Sequence, residues 1–446
     1  MSKKHIGPFL SIGLAILIIG QPAYVSVAFP QGPPQQITTP SGSVIVPPSS
    51  IERPEERGLR AHTNHLIFVP GRPQVTPGLP AGENPGSLAC VYNIVSLYQN
   101  SGCPTNPSGS FANPTGGDGV IAIVDAYHYP AAYADLSAFS SRFGLPVLPT
   151  CNGSNAPCFQ VVYASGVQPS VSCGWNQEAA LDIEWAHAMA PGASIVLVEA
   201  ASNSLSDLLA AVDYASGMAG VRQVSMSWGS GEFPRERNYD FHFNRSGIAF
   251  FASSGDTGGK TIWPGVSPNV VSAGGTRVNR DGSGNFTGES AWSKETCGSG
   301  PCGGGGGPSR FEARPSYQNV IQGIVGSSRG TPDFSFDADP YTGVAVFGPY
   351  CSSSGSGWMV FGGTSVSSPA LAGIVNLAAH TPPLGSGSGS SYAEQVLLYT
   401  GYPNYSSSTL ILPPFRDITS GNTGYAAGSG WDFATGLGSS QTLNQK

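Results

Sequence analysis

From residue 120 onward, short apolar runs alternate with stretches of helical period. Residues 120–124, 194–199, 224–227 and 248–252 are compact apolar runs of strand length, and the stretches near 133–143 and 205–215 read as helices. That order predicts βαβ units, and so an α/β fold with a mostly parallel central sheet flanked by helices. The stretch from Gly174 to Gly192 reads as a longer helix. It is Ala-rich, carries Leu181, Trp185 and Met189 at helical spacing, and stops at Pro191-Gly192. Residues 362–369, Gly-Gly-Thr-Ser-Val-Ser-Ser-Pro, run into the small-residue stretch 370–375 and predict a loop turning into a buried helix. Residues 29–85 are Pro-rich and weakly periodic and read as extended or disordered, so the folded domain is expected over 86–446.

Three polar features stand out against this pattern. Ser365 lies where the loop becomes helix, so first-turn N–H groups would face any oxyanion formed beside its hydroxyl. Taken alone, it fits a Gly/Ser loop feeding a core helix equally well. Glu178 and Asp182 are i and i+4 on the helical face that carries Trp185 and Met189. Two acids there repel and are costly to bury unless they share a partner. A solvated acidic face is the alternative, and Glu184 reads as ordinary surface. The run Ile248 to Ala252 ends in Ser-Ser-Gly-Asp256-Thr-Gly-Gly, a buried strand delivering Asp256 to a loop at its carboxyl end; an Asx-turn would read the same way.

A serine nucleophile needs a base. None of the seven histidines lies in a Gly-rich His-Gly segment; His128 and His187 read as surface or core residues, and His5 falls in a segment expected to be removed. A carboxylate is the better partner. Glu178-x-x-x-Asp182, Ser254-Gly-Asp256 and Gly363-Thr-Ser365, in that order, resemble the sedolisin family of serine-carboxyl peptidases, which share the subtilisin fold. Ile121-Ala-Ile-Val-Asp125, Ser225-Met-Ser-Trp228-Gly, Ala273-Gly-Gly-Thr276 and Arg329-Gly-Thr-Pro-Asp333 extend the likeness over most of 88–438.

The resemblance implies a serine-type endopeptidase with Ser365 as nucleophile, Glu178 as general base, Asp182 orienting Glu178 and Asp256 donating to the oxyanion. It places Asp125 and Trp228 where a carboxylate hydrogen-bond network is extended. Near the C-terminus, Asp417 and Asp432 bracket a Gly-rich loop that resembles the family's calcium site. The resemblance implies one Ca²⁺ held by these carboxylates and the carbonyls of Ile418, Gly428 and Gly430; without it the loop reads as a turn-rich surface segment. A glutamate with an ordinary pKa of about 4.3 stays ionised where a histidine of about 6.5 is protonated, so an acid optimum is expected. The resemblance also implies a long folded pro-segment. The Pro-rich residues 29–85 do not suit one, which departs from the family pattern.

Composition narrows the class further. Lys3, Lys4, the apolar run 9–20 and Ser26-Val-Ala28 read as a signal peptide ending at residue 28; the run is too short to cross a bilayer core of about 30 Å. The expected product is secreted, extracellular or periplasmic, with no membrane contact after signal removal. The net charge of −7 becomes more negative once two lysines leave with the signal, which argues against nucleic acid. Eight cysteines suit an oxidising compartment, with Cys90–Cys103 and Cys297–Cys302 the expected local pairs. The expected protein is a monomeric acid endopeptidase acting on proteins or peptides. The alternatives are a catalytically inactive secreted binding protein retaining the peptidase fold, and a serine esterase, which the lack of a histidine base and of a Gly-x-Ser-x-Gly elbow disfavours.

Overall fold

The structure is a computed structural model that describes Met1 and residues 34–39, 41–71, 80–95, 102–105, 113–153, 157–297, 300–351, 355–378, 393–402, 413–443 and 446. The expected signal peptide lies outside the described residues apart from Met1. The chain divides into two units, Met1–Gly32 and Pro33–Lys446, and every element named below belongs to the second.

In chain order the elements begin with β1 (Gln35–Thr39), β2 (Gly42–Val46), β3 (His62–Thr63), β4 (Leu66–Pro70), α1 (Pro85–Val91), β5 (Val120–Ala126), α2 (Ala132–Phe143) and β6 (Phe159–Tyr163). The middle third holds α3 (Cys173–Met189), β7 (Ser194–Ala200), α4 (Leu205–Gly217), β8 (Val221–Met226), β9 (Trp228–Gly231), β10 (Ala249–Ser253), β11 (Ile262–Trp263), β12 (Val270–Arg280) and β13 (Phe286–Ala291). Then come β14 (Glu295–Cys297), β15 (Gly300–Cys302), β16 (Gly307–Ala313), α5 (Gln322–Val325), β17 (Ser328–Thr331), β18 (Phe334–Asp337), β19 (Val344–Pro349) and β20 (Ser356–Gly362). The chain closes with α6 (Thr364–Leu377), α7 (Ala393–Thr400), β21 (Phe415–Arg416) and β22 (Ser439–Ser440).

The central sheet runs β21-β22-β18-β12-β10-β8-β5-β7-β6, with β13 hairpinned onto β12. From β18 to β6 every neighbouring pair is parallel. Alternate residues of one strand therefore feed two different cores. Ile121 and Ile123 of β5 pack with α2, α3 and α6 on one face, while Ala122 and Val124 pack with α4 on the other. This is the expected α/β arrangement, a subtilisin-like sheet flanked by helices, and each expected strand and helix from 120 to 252 is present within a few residues of its expected bounds.

Two corrections concern burial. Helix α3 lies between the sheet, α2, α6 and β19, so Trp175 to Met189 are all buried and no face is solvated. Glu184, read as surface, is fully buried, and its carboxylate accepts from the Phe347 N–H at 3.0 Å. The described part of 29–85 is folded rather than extended or disordered. Strand β4 pairs antiparallel with both β2 and β20 in a second sheet, β1-β2-β4-β20-β19. Val44, Leu66 and Phe68 make that segment's own small core with Trp292 and Val360. Among the described prolines, Pro47, Pro48 and Pro54 lie between these strands at short 3₁₀ segments, and so obscure the strand pattern without preventing it. The folded unit thus includes residues well before 86.

All eight cysteines are paired: Cys90–Cys103 and Cys297–Cys302 as expected, together with Cys151–Cys158 and Cys173–Cys351. Among the described residues no helix is long and apolar enough to cross a membrane.

Candidate active site

The carboxyl ends of parallel strands and the starts of helices line the crevice in which α/β folds bind ligands. Ser365 is the second residue of α6, directly after β20. Asp256 follows the end of β10, and Glu178 and Asp182 sit in the middle of α3, which packs along α6. Gly363, between β20 and α6, has φ +100°. A side chain there would collide with the Asn64 carbonyl oxygen at 2.2 Å and with Asp256 Oδ2 at 2.5 Å, so only glycine admits both oxygens. The structure therefore brings Ser365, Glu178, Asp182 and Asp256 to one place, the first three buried and Asp256 half-buried with its Oδ2 inaccessible.

Glu178 and Asp182 lie one turn apart. Asp182 Oδ1 accepts from the Ser227 hydroxyl at 2.8 Å, while Asp182 Oδ2 and Glu178 Oε1 are buried without other partners. As two anions these oxygens would be orphans; as an acid and an anion sharing a proton they satisfy each other. Burial first, then the charges of Asp125 and Glu178, holds the Asp182 carboxyl well above the ordinary range. Asp125, at the end of β5, is likewise buried with both oxygens unpartnered. It is pushed up by burial and then by Glu178 and Glu199, so it belongs to the same electrostatic cluster. Trp228 does not join that network as expected. Its indole N–H donates to the Val124 carbonyl at 2.8 Å, pinning β9 to β5.

Asp256 Oδ1 accepts from the Thr364 N–H at 2.8 Å and the Thr364 hydroxyl at 2.7 Å, leaving Oδ2 buried and unpartnered on the Asn64 side. Burial raises this carboxyl well above its ordinary value, against the lowering effect of the Thr364 hydrogen bonds. A protonated Oδ2 is therefore the form the surroundings favour.

Sequence reasoning missed the segment that fills the cleft. Strand β3 pairs antiparallel with β9, His62 opposite Gly229 and Thr63 opposite Trp228. The Asn64 N–H reaches Ser227 O, Ser365 Oγ and Glu178 Oε2, each at 3.2 Å. The Asn64 carbonyl accepts from the Ser365 N–H at 3.0 Å, and His65 Nδ1 lies 2.8 Å from Glu178 Oε2. An unstructured reading of 29–85 places no histidine here. The available signal is the apolar run Leu66 to Val69 directly after His65. The two histidines expected at the surface or in the core behave as such. His128 pairs with Glu199 at 2.9 Å, and His187 is buried against the Pro146 carbonyl, where burial lowers its pKa to about 4. Beside β9 lies a cleft of about 310 Å³ lined by Gly231, Thr257, Lys260, Arg310, Glu52 and Arg57.

In the C-terminal loop, the exposed Asp417 accepts from the Gly430 N–H at 3.1 Å, and Asp432 Oδ2 accepts from the Gly428 N–H at 2.8 Å. Asp432 Oδ1 takes Ala434 N–H, Thr435 N–H and the Thr435 hydroxyl, which leaves Oδ2 and the Asp417 carboxylate with free lone pairs. Oxygen donors of this kind over a Gly-rich turn fit a hard cation. The group Glu295, Cys297 and Cys302 does not, since its two cysteines are joined in a disulfide.

The Subtilase family profile matches residues 170–400. Sedolisin of Pseudomonas sp. (strain 101) is 27% identical over 396 residues, 81% of this chain and 63% of that protein. Kumamolisin of Bacillus sp. (strain MN-32) is 34% identical over 303 residues, 60% of this chain and 49% of that protein. The chain thus spans less than two thirds of the length of these relatives. A solved structure of Pseudomonas sedolisin, a serine-carboxyl proteinase complexed with two molecules of pseudo-iodotyrostatin, superposes with a TM-score of 0.62 at 25% identity, covering 82% of this chain and 96% of that one. The chain belongs to the subtilase family and is similar to sedolisin and kumamolisin within it.

Proposed function

We propose that this protein is a secreted serine-carboxyl endopeptidase that hydrolyses peptide bonds of protein or peptide substrates in acid, as a monomer. The observation that carries the reading is a peptide carbonyl, that of Asn64, resting 3.0 Å from the Ser365 N–H while the adjoining N–H touches both Ser365 Oγ and Glu178. The relatives named above and the paired cysteines support it; a binding protein that merely kept the fold would have no need of the buried acids.

In this reading Ser365 Oγ attacks the substrate carbonyl carbon and its proton passes to Glu178, which Asp182 holds in place through their shared proton. The carbonyl oxygen takes up the negative charge and accepts from the Ser365 N–H and from Asp256 as a neutral acid. Collapse breaks the C–N bond, and the leaving amine takes the proton from Glu178. Water then repeats the sequence on the ester, releasing the acid and restoring the Ser365 hydroxyl. Ser227 and Thr364 act as positioning residues for Asp182 and Asp256.

A Ca²⁺ ion would be held by Asp417, Asp432 and the carbonyls of Ile418, Gly428 and Gly430. It would supply charge neutralisation in the C-terminal loop, away from the chemistry. The test is acid digestion of a denatured protein by the purified chain, with products identified by mass spectrometry and Ser365→Ala as control.

A further inference from the structure

The segment in the cleft lies in the register of a bound substrate. An extended peptide that adds a strand to an exposed edge is held by main-chain hydrogen bonds, and pockets for its side chains supply selectivity. Here β3 adds to β9, the Asn64 N–H meets Ser227 O, and the Asn64 carbonyl meets the Ser365 N–H. Asn64 is thereby the residue on the acyl side of the bond presented to Ser365, and His65 is on the leaving side.

The Asn64 side chain runs to the end of β10, where Nδ2 donates to the Ser253 hydroxyl at 2.7 Å. Both residues are buried, Asn64 at 1% and Ser253 at 0% exposure. An aliphatic side chain in the same place would leave the Ser253 hydroxyl buried without this partner, the kind of loss a polar pocket uses to discriminate. Asn64 Oδ1 is buried and unpartnered, so the selection rests on the donated N–H.

We propose that the pocket behind Ser365 selects a carboxamide side chain on the acyl side of the cut bond, with the Ser253 hydroxyl as its reader, and that the chain's own Asn64–His65 bond is its first substrate. The proposal rests on the peptidase reading above. The chemistry is the same two-step hydrolysis. Ser365 acylates on the Asn64 carbonyl, the C–N bond to His65 breaks, the His65 amine takes the proton from Glu178, and water frees Asn64 as a carboxylic acid. The sheet sets the fate of the two new ends. Leu66 to Phe68 stay paired with Gly362 to Val360 of β20, so the new N-terminus at His65 remains anchored. No cysteine precedes Cys90, so nothing covalent retains the residues upstream of the cut.

Two measurements on the full chain test this. On acidification to about pH 4, where the carboxylate mechanism operates, the protein should acquire His65 as N-terminus by mass spectrometry. Ser365→Ala should stay intact, and Asn64→Leu should be cut roughly tenfold more slowly at this bond. With peptides copied from 60–68, kcat/KM for Asn over Leu on the acyl side should be about tenfold or more, and Ser253→Ala should bring that ratio close to one. Cleavage of peptides and of a denatured protein without an Asn preference, with a ratio that Ser253→Ala does not change, or with the 64–65 bond left whole overturns this inference and leaves the peptidase reading standing. No cleavage of any substrate by the parent protein overturns both.

Discussion

The backbone N–H of Ser365 donates to the carbonyl oxygen of Asn64 at 3.0 Å, joining two residues 301 positions apart in the chain. Between them they mark the proposed reaction centre, with a peptide of the same chain lying in it. The groups around that peptide make separate, checkable demands.

In the proposed mechanism Glu178 and Asp182 act through one shared proton. Glu178→Gln and Asp182→Asn are each expected to lower kcat/KM by several orders of magnitude, and the double variant by little more, because parts of one unit are strongly non-additive. Additive losses would separate the two acids. His65 touches Glu178 and so offers a rival base. Cleavage of peptides supplied from outside should survive His65→Gln, whereas a comparable collapse would assign the base to the histidine.

Asp256 must be neutral to donate, and burial already favours that form. The kcat/KM profile of the parent should be bell-shaped and centred in acid, rising as the Glu178 and Asp182 pair loses its first proton and falling as Asp256 ionises. Asp256→Asn supplies a donor with no proton to lose. Its lower activity should reach further toward neutral pH; an alkaline limb in the same place as the parent's would remove Asp256 from this role.

Much of this site was legible in the sequence, for a definite reason. Strand length and helical period place Asp256 after a strand and Ser365 at a helix start, where the ends of parallel strands converge, and put Glu178 and Asp182 on one helix face; their joint role was legible through the resemblance to the sedolisins. The disulfides Cys90–Cys103 and Cys297–Cys302 were legible as local pairs, whereas Cys151–Cys158, also local, was not among the expected pairs. The illegible part depends on pairing across the chain. Strand β3 is two residues long and exists only because β9 is beside it. Nothing local marks Asn64 or His65. Burial around α3 was also invisible, since Glu184 differs from a surface glutamate only in what β19 brings to it.

Stability should fall as pH rises from acid. Glu236, Glu312 and Glu394 are pushed up by burial to about 9, about 8 and about 8, and Asp125, Asp182, Asp256 and Asp337 are raised as well. Between their ordinary values and these raised ones, the unfolded chain has lost protons that the folded chain keeps, so each rise in pH favours unfolding. His187, lowered to about 4, opposes this only below about 6.5. Thermal melts should give a higher Tm near pH 5 than near pH 8, and the reverse order would contradict the burial of these acids.

A cation in the C-terminal loop would stabilise by mass action, about 2–3 kcal/mol at a hundredfold excess over Kd. Chelation should then lower the Tm of the parent but not of Asp417→Ala, whose exposed carboxylate caps no other turn than Gly430. Asp432→Ala is the poorer probe, because Asp432 Oδ1 also holds the Ala434 and Thr435 N–H groups. An unchanged melt after exhaustive chelation, with no calcium by elemental analysis, removes the ion from the account.

The central claim is that Ser365 is the nucleophile of an acid peptidase. The most direct measurement compares the purified parent with Ser365→Ala on one denatured protein near pH 4, counting new termini by mass spectrometry after both have been shown to be folded. Loss of a single buried oxygen leaves packing nearly intact, so the account predicts extensive cleavage by the parent and a loss of several orders of magnitude in the variant. Comparable cleavage by both proteins, or none by the parent at any acid pH, would contradict it.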